Sequence, residues 1–286
     1  MWSGGKDGAF AVARARERGL DVVSLLNIYD APSDRVRFHA TRAEVIAAQA
    51  AATGIPLRQV ATSWEGFEDA FRAALGQLKA DGFAGVIFGD IHLADVRAWY
   101  EDRVRAAGLE HVEPVWGEAP SALLRQIVGS GLRAVVTCVE LAKLDESWLG
   151  RVIDEPFVDA IARTNVDPCG ENGEYHSFAF AGPLFRRPFL WSAGERRVDG
   201  GFAQIDVIDL AAEIARETVA AWPDLATGTR TARPKSWGAL AAHGVTALRS
   251  RLERKPTDAE RRAIWDALWR AARESRGAGE QPDGDR

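Results

Sequence analysis

The chain is short of the residues that would place it in several large classes. It has two cysteines, Cys138 and Cys169, one methionine and three tyrosines among 286 residues. Two cysteines make neither a disulfide framework nor a CxxC redox pair, so the chain reads as cytoplasmic. No apolar run approaches the roughly 18 residues of a membrane span, and no membrane is expected. No secretory leader pattern stands ahead of the first polar loop. Basic residues are not in excess either: the formal net charge is −5, whereas a nucleic-acid footprint normally needs a basic face. The local pairs Arg186-Arg187 and Arg196-Arg197 flank apolar residues and read as solvated loop or strand edge. What is present is an ordinary globular composition, 47% hydrophobic and 27% charged, with enough chain for a substantial core.

Short β-branched runs alternate with helical periodicity from residue 9 to about 140. Residues 22–28, 57–60, 84–88 and 132–139 read as strands. Thr41-Arg42-Ala43-Glu44 reads as a capping box opening a helix to Ala52. Phe67, Phe71, Ala74, Leu75 and Leu78 fall at helical spacing up to Gly82, and 93–107 is a further helix. This alternation predicts an α/β fold, a parallel sheet covered by helices on both faces, over residues 1–140. Ligands of such sheets sit beyond the carboxyl ends of the strands. The glycine-rich start, Gly89-Asp90 and the loop 29–39 would all lie there.

Residues 141–210 change character and predict a smaller mixed α/β region. A short helix begins at Asp154-Glu155-Pro156 with Phe157 and Ile161 on one face, and strands follow at 177–181 and 202–210. Residues 211–276 are a helical extension. It carries a second capping box, Thr257-Asp258-Ala259-Glu260, and an apolar stripe of Ile264, Trp265, Leu268, Trp269 and Ala272. That stripe is expected as core or as a homodimer contact. Residues 277–286 are expected to be a disordered tail.

Two polar constellations carry the chemistry. The first is Met1-Trp2-Ser3-Gly4-Gly5-Lys6-Asp7-Gly8, running straight into a helix. A Ser-Gly-Gly turn stacks backbone N–H groups around a small hollow, and adjacent glycines let a phosphate approach the main chain. The helix N-terminus adds partial positive charge and Lys6 a full one. A carboxylate at Asp7 would repel the ligand unless Mg²⁺ bridged it to phosphate oxygens. The second is Asn165-Val166-Asp167-Pro168-Cys169-Gly170-Glu171-Asn172-Gly173-Glu174-Tyr175-His176. Such a group could bind an amine-bearing substrate, or take a proton from ammonium to free ammonia as a nucleophile.

Together these residues resemble a known family. Ser3-Gly4-Gly5-Lys6-Asp7 resembles the pyrophosphatase (PP) loop of N-type ATP pyrophosphatases, and Asp167 to His176 resembles the signature of the diphthine–ammonia ligase family. His39 before a helix, Gly89-Asp90-Ile91 after a strand and Pro114-Val115-Trp116-Gly117 fit as well. The likeness runs from residue 3 to about 210. It implies a HUP-type, Rossmann-like nucleotide domain that cleaves ATP between its α- and β-phosphates. It also implies a ligase that adenylates a small-molecule or protein-borne carboxylate, releases pyrophosphate, and forms an amide with ammonia. By the same resemblance Ser3, Gly4, Gly5, Lys6, Asp7, Gly8, Gly89 and Asp90 bind ATP, and Asp7 with Asp90 holds Mg²⁺. Lys6, Asp7, Glu171, Glu174 and His176 would be catalytic. His39, Gly170, Glu171, Asn172, Glu174 and Tyr175 would contact the substrate.

Two departures from the family pattern stand out. Position 8 is Gly where the loop usually ends in Ser, which removes one hydroxyl contact worth about 1 kcal/mol. Only Met1 and Trp2 precede Ser3, where a strand normally feeds such a loop; either the start lies further upstream or the fold tolerates a missing strand. The Ala- and Arg-rich composition suggests a GC-rich bacterial source, for which an acceptor other than diphthine is expected. A non-catalytic ATP-binding or sensing protein of the same fold is the alternative reading. Sulfur insertion into tRNA would want paired catalytic cysteines and a basic face, and the chain has neither.

Overall fold

The computed structural model describes residues 1–37, 39–229 and 231–278. In chain order the elements are α1 (Lys6–Glu17), β1 (Leu25–Asp30), α2 (Ala43–Thr53), β2 (Leu57–Thr62), α3 (Phe67–Ala80), β3 (Gly85–Ile87), α4 (Ala94–Ala106), β4 (Glu110–Val112) and α5 (Pro120–Gly129). They continue with β5 (Arg133–Glu140), α6 (Glu155–Ile161), β6 (Tyr175–Ala181), β7 (Trp191–Asp199), β8 (Phe202–Asp209), α7 (Leu210–Ala221), α8 (Trp237–Leu252) and α9 (Asp258–Ala278). Residues 1–186 with 193–207 make one compact unit, and 187–192 with the chain from 208 onward make a second.

The first unit is mixed α/β and holds two parallel strand pairs. β1 runs parallel to β2, with Leu25 opposite Leu57 and Asp30 opposite Thr62. β3 runs parallel to β4, with Gly85 opposite Glu110. Met1 and Trp2 are bonded to both pairs. The Trp2 N–H donates to the Leu26 carbonyl at 2.8 Å, the Asn27 amide donates to the Trp2 carbonyl at 2.9 Å, and the Met1 ammonium donates to the Ile87 carbonyl at 2.5 Å. These contacts tie the two residues ahead of the glycine loop to the first half of β1 and to the last residue of β3. Phe71, Leu75 and Leu78, at helical spacing on α3, pack with Leu26, Ile28, Val86, Phe88 and Val104 as one buried cluster.

The strand expected at 132–139 forms, but it does not join a parallel sheet. As β5 it pairs antiparallel with β6 and with β8, in a four-stranded sheet ordered β6-β5-β8-β7. Residues 134–139 are all buried. A strand covered on both faces reads as a continuous apolar run, and such a run does not disclose the direction of its neighbours. β6 opens with Tyr175 and His176, the last two residues of the second polar constellation, and the Ala179 N–H on it donates to the Gly4 carbonyl at 2.8 Å.

The two expected capping boxes have different outcomes. At the start of α9 the box closes: the Thr257 N–H donates to Glu260 Oε2 at 2.7 Å, and the Glu260 N–H to Thr257 Oγ1 at 3.2 Å. At α2 it does not. Arg42 is the N-cap, no side chain caps the helix, and Thr41 Oγ1 donates instead to the His39 carbonyl at 3.3 Å. The tight loop ahead of α2 turns Thr41 back on itself before the helix begins.

In the second unit α7, α8 and α9 share one core that includes Ile214, Ala215, Leu240, Leu248, Ile264, Leu268 and Ala272. The apolar stripe of α9 is therefore mainly core, although Trp265 stays 39% exposed. α9 runs on through Ala278; the rest of the expected tail, from 279, lies outside the described residues. Among the described residues no helix is long and apolar enough to cross a membrane.

Candidate active site

The glycine loop is built by residues that leave it no freedom. Gly4 has φ +84°, and a Cβ there would lie 2.6 Å from Ile46 Cδ1 and 2.8 Å from Gln49 Oε1, so only glycine fits. Gln49, fully buried on α2, braces the loop from below. Its amide donates to the Gly4 carbonyl at 2.9 Å and to the Ala179 carbonyl at 2.6 Å, and its oxygen accepts from the Trp2 indole at 2.9 Å. Ser3 Oγ accepts from the Gly5 N–H at 3.4 Å. α1 starts at Lys6, and the Lys6 N–H donates to Ser177 Oγ at 3.2 Å. Gly89, after β3, lies against this helix start: a Cβ on it would be 2.7 Å from the Gly8 nitrogen. The close approach of two backbones puts Asp90 beside the loop.

Lys6 does not extend into solvent. It is 1% exposed. Its Nζ donates to Asp7 Oδ2 at 2.9 Å and to the Cys169 carbonyl at 2.5 Å, and it stands 4.7 Å from the centre of the Tyr175 ring. Burial pulls its pKa down, but Asp7, Tyr175 and Cys169 outweigh burial and hold it above the usual lysine range. The ammonium is therefore charged. It joins the first constellation to the second.

The 167–176 segment is shaped by its own polar groups. Asp167 Oδ1 accepts from the Cys169 N–H at 2.7 Å, and Asp167 Oδ2 is 2.5 Å from His92 Nε2. Buried Glu174 accepts from the Asp167 N–H at 3.1 Å and from Asn172 Nδ2 at 3.3 Å, while its Oε2 has no hydrogen-bond partner. Tyr175 donates its hydroxyl to the Pro168 carbonyl at 2.7 Å. Gly170 donates its N–H to the Asp167 carbonyl at 2.9 Å. Glu171 reaches across to accept from the Ile91 N–H at 2.8 Å. His176 lies on β6 with its ring centre 4.8 Å from that of His39. Burial pushes both imidazoles down, His39 to about 4 and His176 well below the ordinary value, so both are neutral near pH 7.

The carboxylates of this site raise one another. Burial lifts Asp7 above the usual carboxylate range, although Lys6 pulls the other way. Burial lifts Asp90 to about 6, with the charge of Asp7 adding. Burial lifts Glu171 to about 7, with Asp7 and Asp90 adding. Asp7 Oδ1 is buried with no hydrogen-bond partner. Crowded acids with an unanswered oxygen suit a dication. Among the described residues no group of three or more His, Cys, Asp or Glu makes a complete metal cage. Mg²⁺ commonly takes only one or two carboxylates and completes its shell with phosphate and water.

The structure thus brings Ser3, Gly4, Gly5, Lys6, Asp7 and Gly8 together with Gly89, Asp90, His39, Glu171, Glu174, Tyr175 and His176. Gly170 and Asn172 shape the second loop. Gln49, His92 and Ser177 are participants the sequence reading passed over, and Asp167 is one to which it gave no role of its own. Gln49 had a signal, a lone amide in the Ala-rich face of α2. Asp167 stood inside the quoted run, but its tie to His92 required the fold.

The chain matches the family model for the diphthamide synthase N-terminal domain over residues 1–111, and that for the C-terminal domain over 119–209. It is 26% identical over 218 residues to a diphthine–ammonia ligase of Homo sapiens, covering 68% of this chain and 82% of that protein. It is 24% identical over 248 residues to one of Rattus norvegicus, covering 77% and 93%. One from Schizosaccharomyces pombe is 26% identical over 208 residues, covering 65% of this chain and 34% of that protein. Helices α7 to α9 lie beyond the residues that the family models match.

Proposed function

The chain belongs to the diphthine–ammonia ligase family, ATP-dependent amide-forming ligases, and from that premise we propose that it adenylates a carboxylate acceptor and converts it to an amide with ammonia. The observation that carries this reading is the position of Lys6, whose Nζ belongs to the phosphate loop by sequence and touches the 167–176 loop in space. Phosphate chemistry and acceptor chemistry therefore share one cation.

In this reading residues 1–140 form a Rossmann-like nucleotide-binding domain and 141–210 the acceptor part. The glycine loop and the α1 N-terminus bind the phosphates of ATP. The acceptor carboxylate oxygen attacks the α-phosphorus, and the bond to the β-phosphate oxygen breaks with pyrophosphate leaving. Lys6 faces the charge that develops on the leaving group. Ammonia then forms a C–N bond at the acyl carbon and AMP leaves with the electron pair of the C–O bond. Glu171 and Glu174 border the space where ammonium must lose a proton, and neutral His39 and His176 line it without adding charge. Asp7 and Asp90 are the residues that would hold Mg²⁺; when bound it supplies positive charge to the phosphate oxygens.

The acceptor in this reading is a carboxylic acid. The experiment is isotope exchange between pyrophosphate and ATP across a panel of carboxylic acids that includes peptides. Exchange that requires one class of acid supports the reading, and ATP binding with no acid-dependent exchange removes it.

A further inference from the structure

The segment between β1 and α2 reaches the phosphate loop in a conformation its own sequence does not favour. Arg35 forms isolated antiparallel bridges with Asp30 and with Arg42. Two residues in it, Asp34 (φ 53°) and Ala40 (φ 56°), are left-handed without being glycine. An alanine keeps such a conformation only where surrounding contacts impose it. His39, the neighbour of Ala40, lies against the phosphate loop: a Cβ on Gly5 would be 2.9 Å from His39 Cε1. His39 Nδ1 is 3.4 Å from the Ser177 carbonyl.

Within the loop the Ala40 N–H donates to the Val36 carbonyl at 3.1 Å and the Val36 N–H to the Thr41 carbonyl at 2.8 Å, and β8 adds side-chain contacts from outside. Asp206 Oδ1 accepts from Arg35 Nη1 at 2.9 Å, and Oδ2 is 3.3 Å from Arg42 Nε. The same Arg35 Nη1 also donates to the Ala40 carbonyl, and Arg42 Nη2 donates to the Val207 carbonyl at 3.3 Å. The Asp206 side chain is 13% exposed, so this is not a water-screened surface pair of little consequence. Contacts run without a break from Asp206 through Arg35 and Ala40 to His39 and Gly5.

We infer that Asp206 is a positioning residue for nucleotide binding: through Arg35 and Arg42 it fixes Ala40 in its left-handed conformation and so holds His39 over Gly5. The effect on affinity rests on the ATP chemistry proposed above. The effect on His39 does not.

The test reads both. In the wild-type chain burial keeps the His39 imidazole near 4, with the Ser177 carbonyl raising it and Lys6 lowering it. Proton NMR titration, with His39→Gln for assignment, follows that value in Asp206→Ala. The expected result is a rise toward about 6.5 as the ring is released. Calorimetry with Mg-ATP is expected to show about fivefold weaker binding in Asp206→Ala and in His39→Gln. The double variant is expected to be no weaker than His39→Gln alone, because Asp206 acts through His39. Adding Ala40→Gly to Asp206→Ala should restore part of the affinity and lower the His39 value again, since glycine holds the left-handed conformation without the clamp.

An unmoved His39 titration in a folded Asp206→Ala protein, or losses that simply add, would overturn the inference. Should Asp206→Ala not fold, Asp206→Asn must show a smaller shift in the same direction, and no shift there overturns it too. A wild-type chain that binds no ATP would sink the ligase reading, while the His39 titration would still decide the clamp.

Discussion

Lys6 Nζ donates to the Cys169 carbonyl at 2.5 Å, joining residues 163 positions apart in the chain. The contact makes Lys6 the anchor of the second loop and, in the proposed reading, also the cation on the phosphate side. Lys6→Met would leave the Cys169 carbonyl and Asp7 without their partner in a buried setting. Removing one member of a buried charge pair costs about 3 kcal/mol. Urea unfolding should show that loss, and pyrophosphate release should fall by roughly 100-fold or more. Normal turnover in Lys6→Met would take Lys6 out of the mechanism.

Asp7→Ala and Glu174→Ala are expected to abolish turnover with the circular dichroism spectrum intact. They should differ in binding. Asp7 stands in the glycine loop that the proposed reading assigns to phosphate, so its loss should weaken Mg-ATP in calorimetry. Glu174 holds the Asp167 N–H and the Asn172 amide, so its loss should leave ATP affinity within about threefold while amide formation disappears. Unchanged rates in either variant would remove that residue from the chemistry.

Gly4→Ala tests the loop itself. Its φ of +84° and the 2.6 Å approach to Ile46 Cδ1 combine backbone strain with a clash. A loss of roughly 2–4 kcal/mol is expected in thermal or denaturant unfolding. A drop below about 0.5 kcal/mol would show that the loop relaxes around a methyl group.

Glu260 gives a pH-dependent prediction in the second unit. The hydrogen bond from Arg254, with those from Thr257, holds its carboxyl down at about 2. A carboxyl depressed in the folded state stabilises above its unfolded pKa of about 4.3 and loses that contribution as pH falls through about 2. Arg254 is about half exposed, so solvent screening limits the value. Glu260→Gln should cost about 1 kcal/mol at pH 7. The gap to wild type should close as pH falls from 4 to 2, and a gap that stays constant would mean the cap does not depend on charge.

Local sequence carried both polar loops, because glycines at fixed offsets and clustered carboxylates announce themselves without tertiary context. It also carried the α3 face and the closed box at Thr257, where neighbours in sequence are the partners in space. It did not carry the direction of β5, whose burial on both faces hides its pairing. Nor did it carry the open box at Thr41, where a left-handed Ala40 bends the chain before the helix. Met1 and Trp2 looked too short to serve as a strand, yet their polar groups bond to β1 and β3. The glycine loop opens as Ser3-Gly4-Gly5, but what holds it in place is distant: Gln49, Ser177 and Ala179.

The most direct test is mass-spectrometric analysis of the reaction with ATP, a carboxylate that supports pyrophosphate exchange, and ¹⁵N-ammonium. One ¹⁵N-amide formed per AMP released, and neither product formed in Asp7→Ala, is the predicted result. AMP released without ¹⁵N in the product, or ADP in place of AMP, would contradict the account.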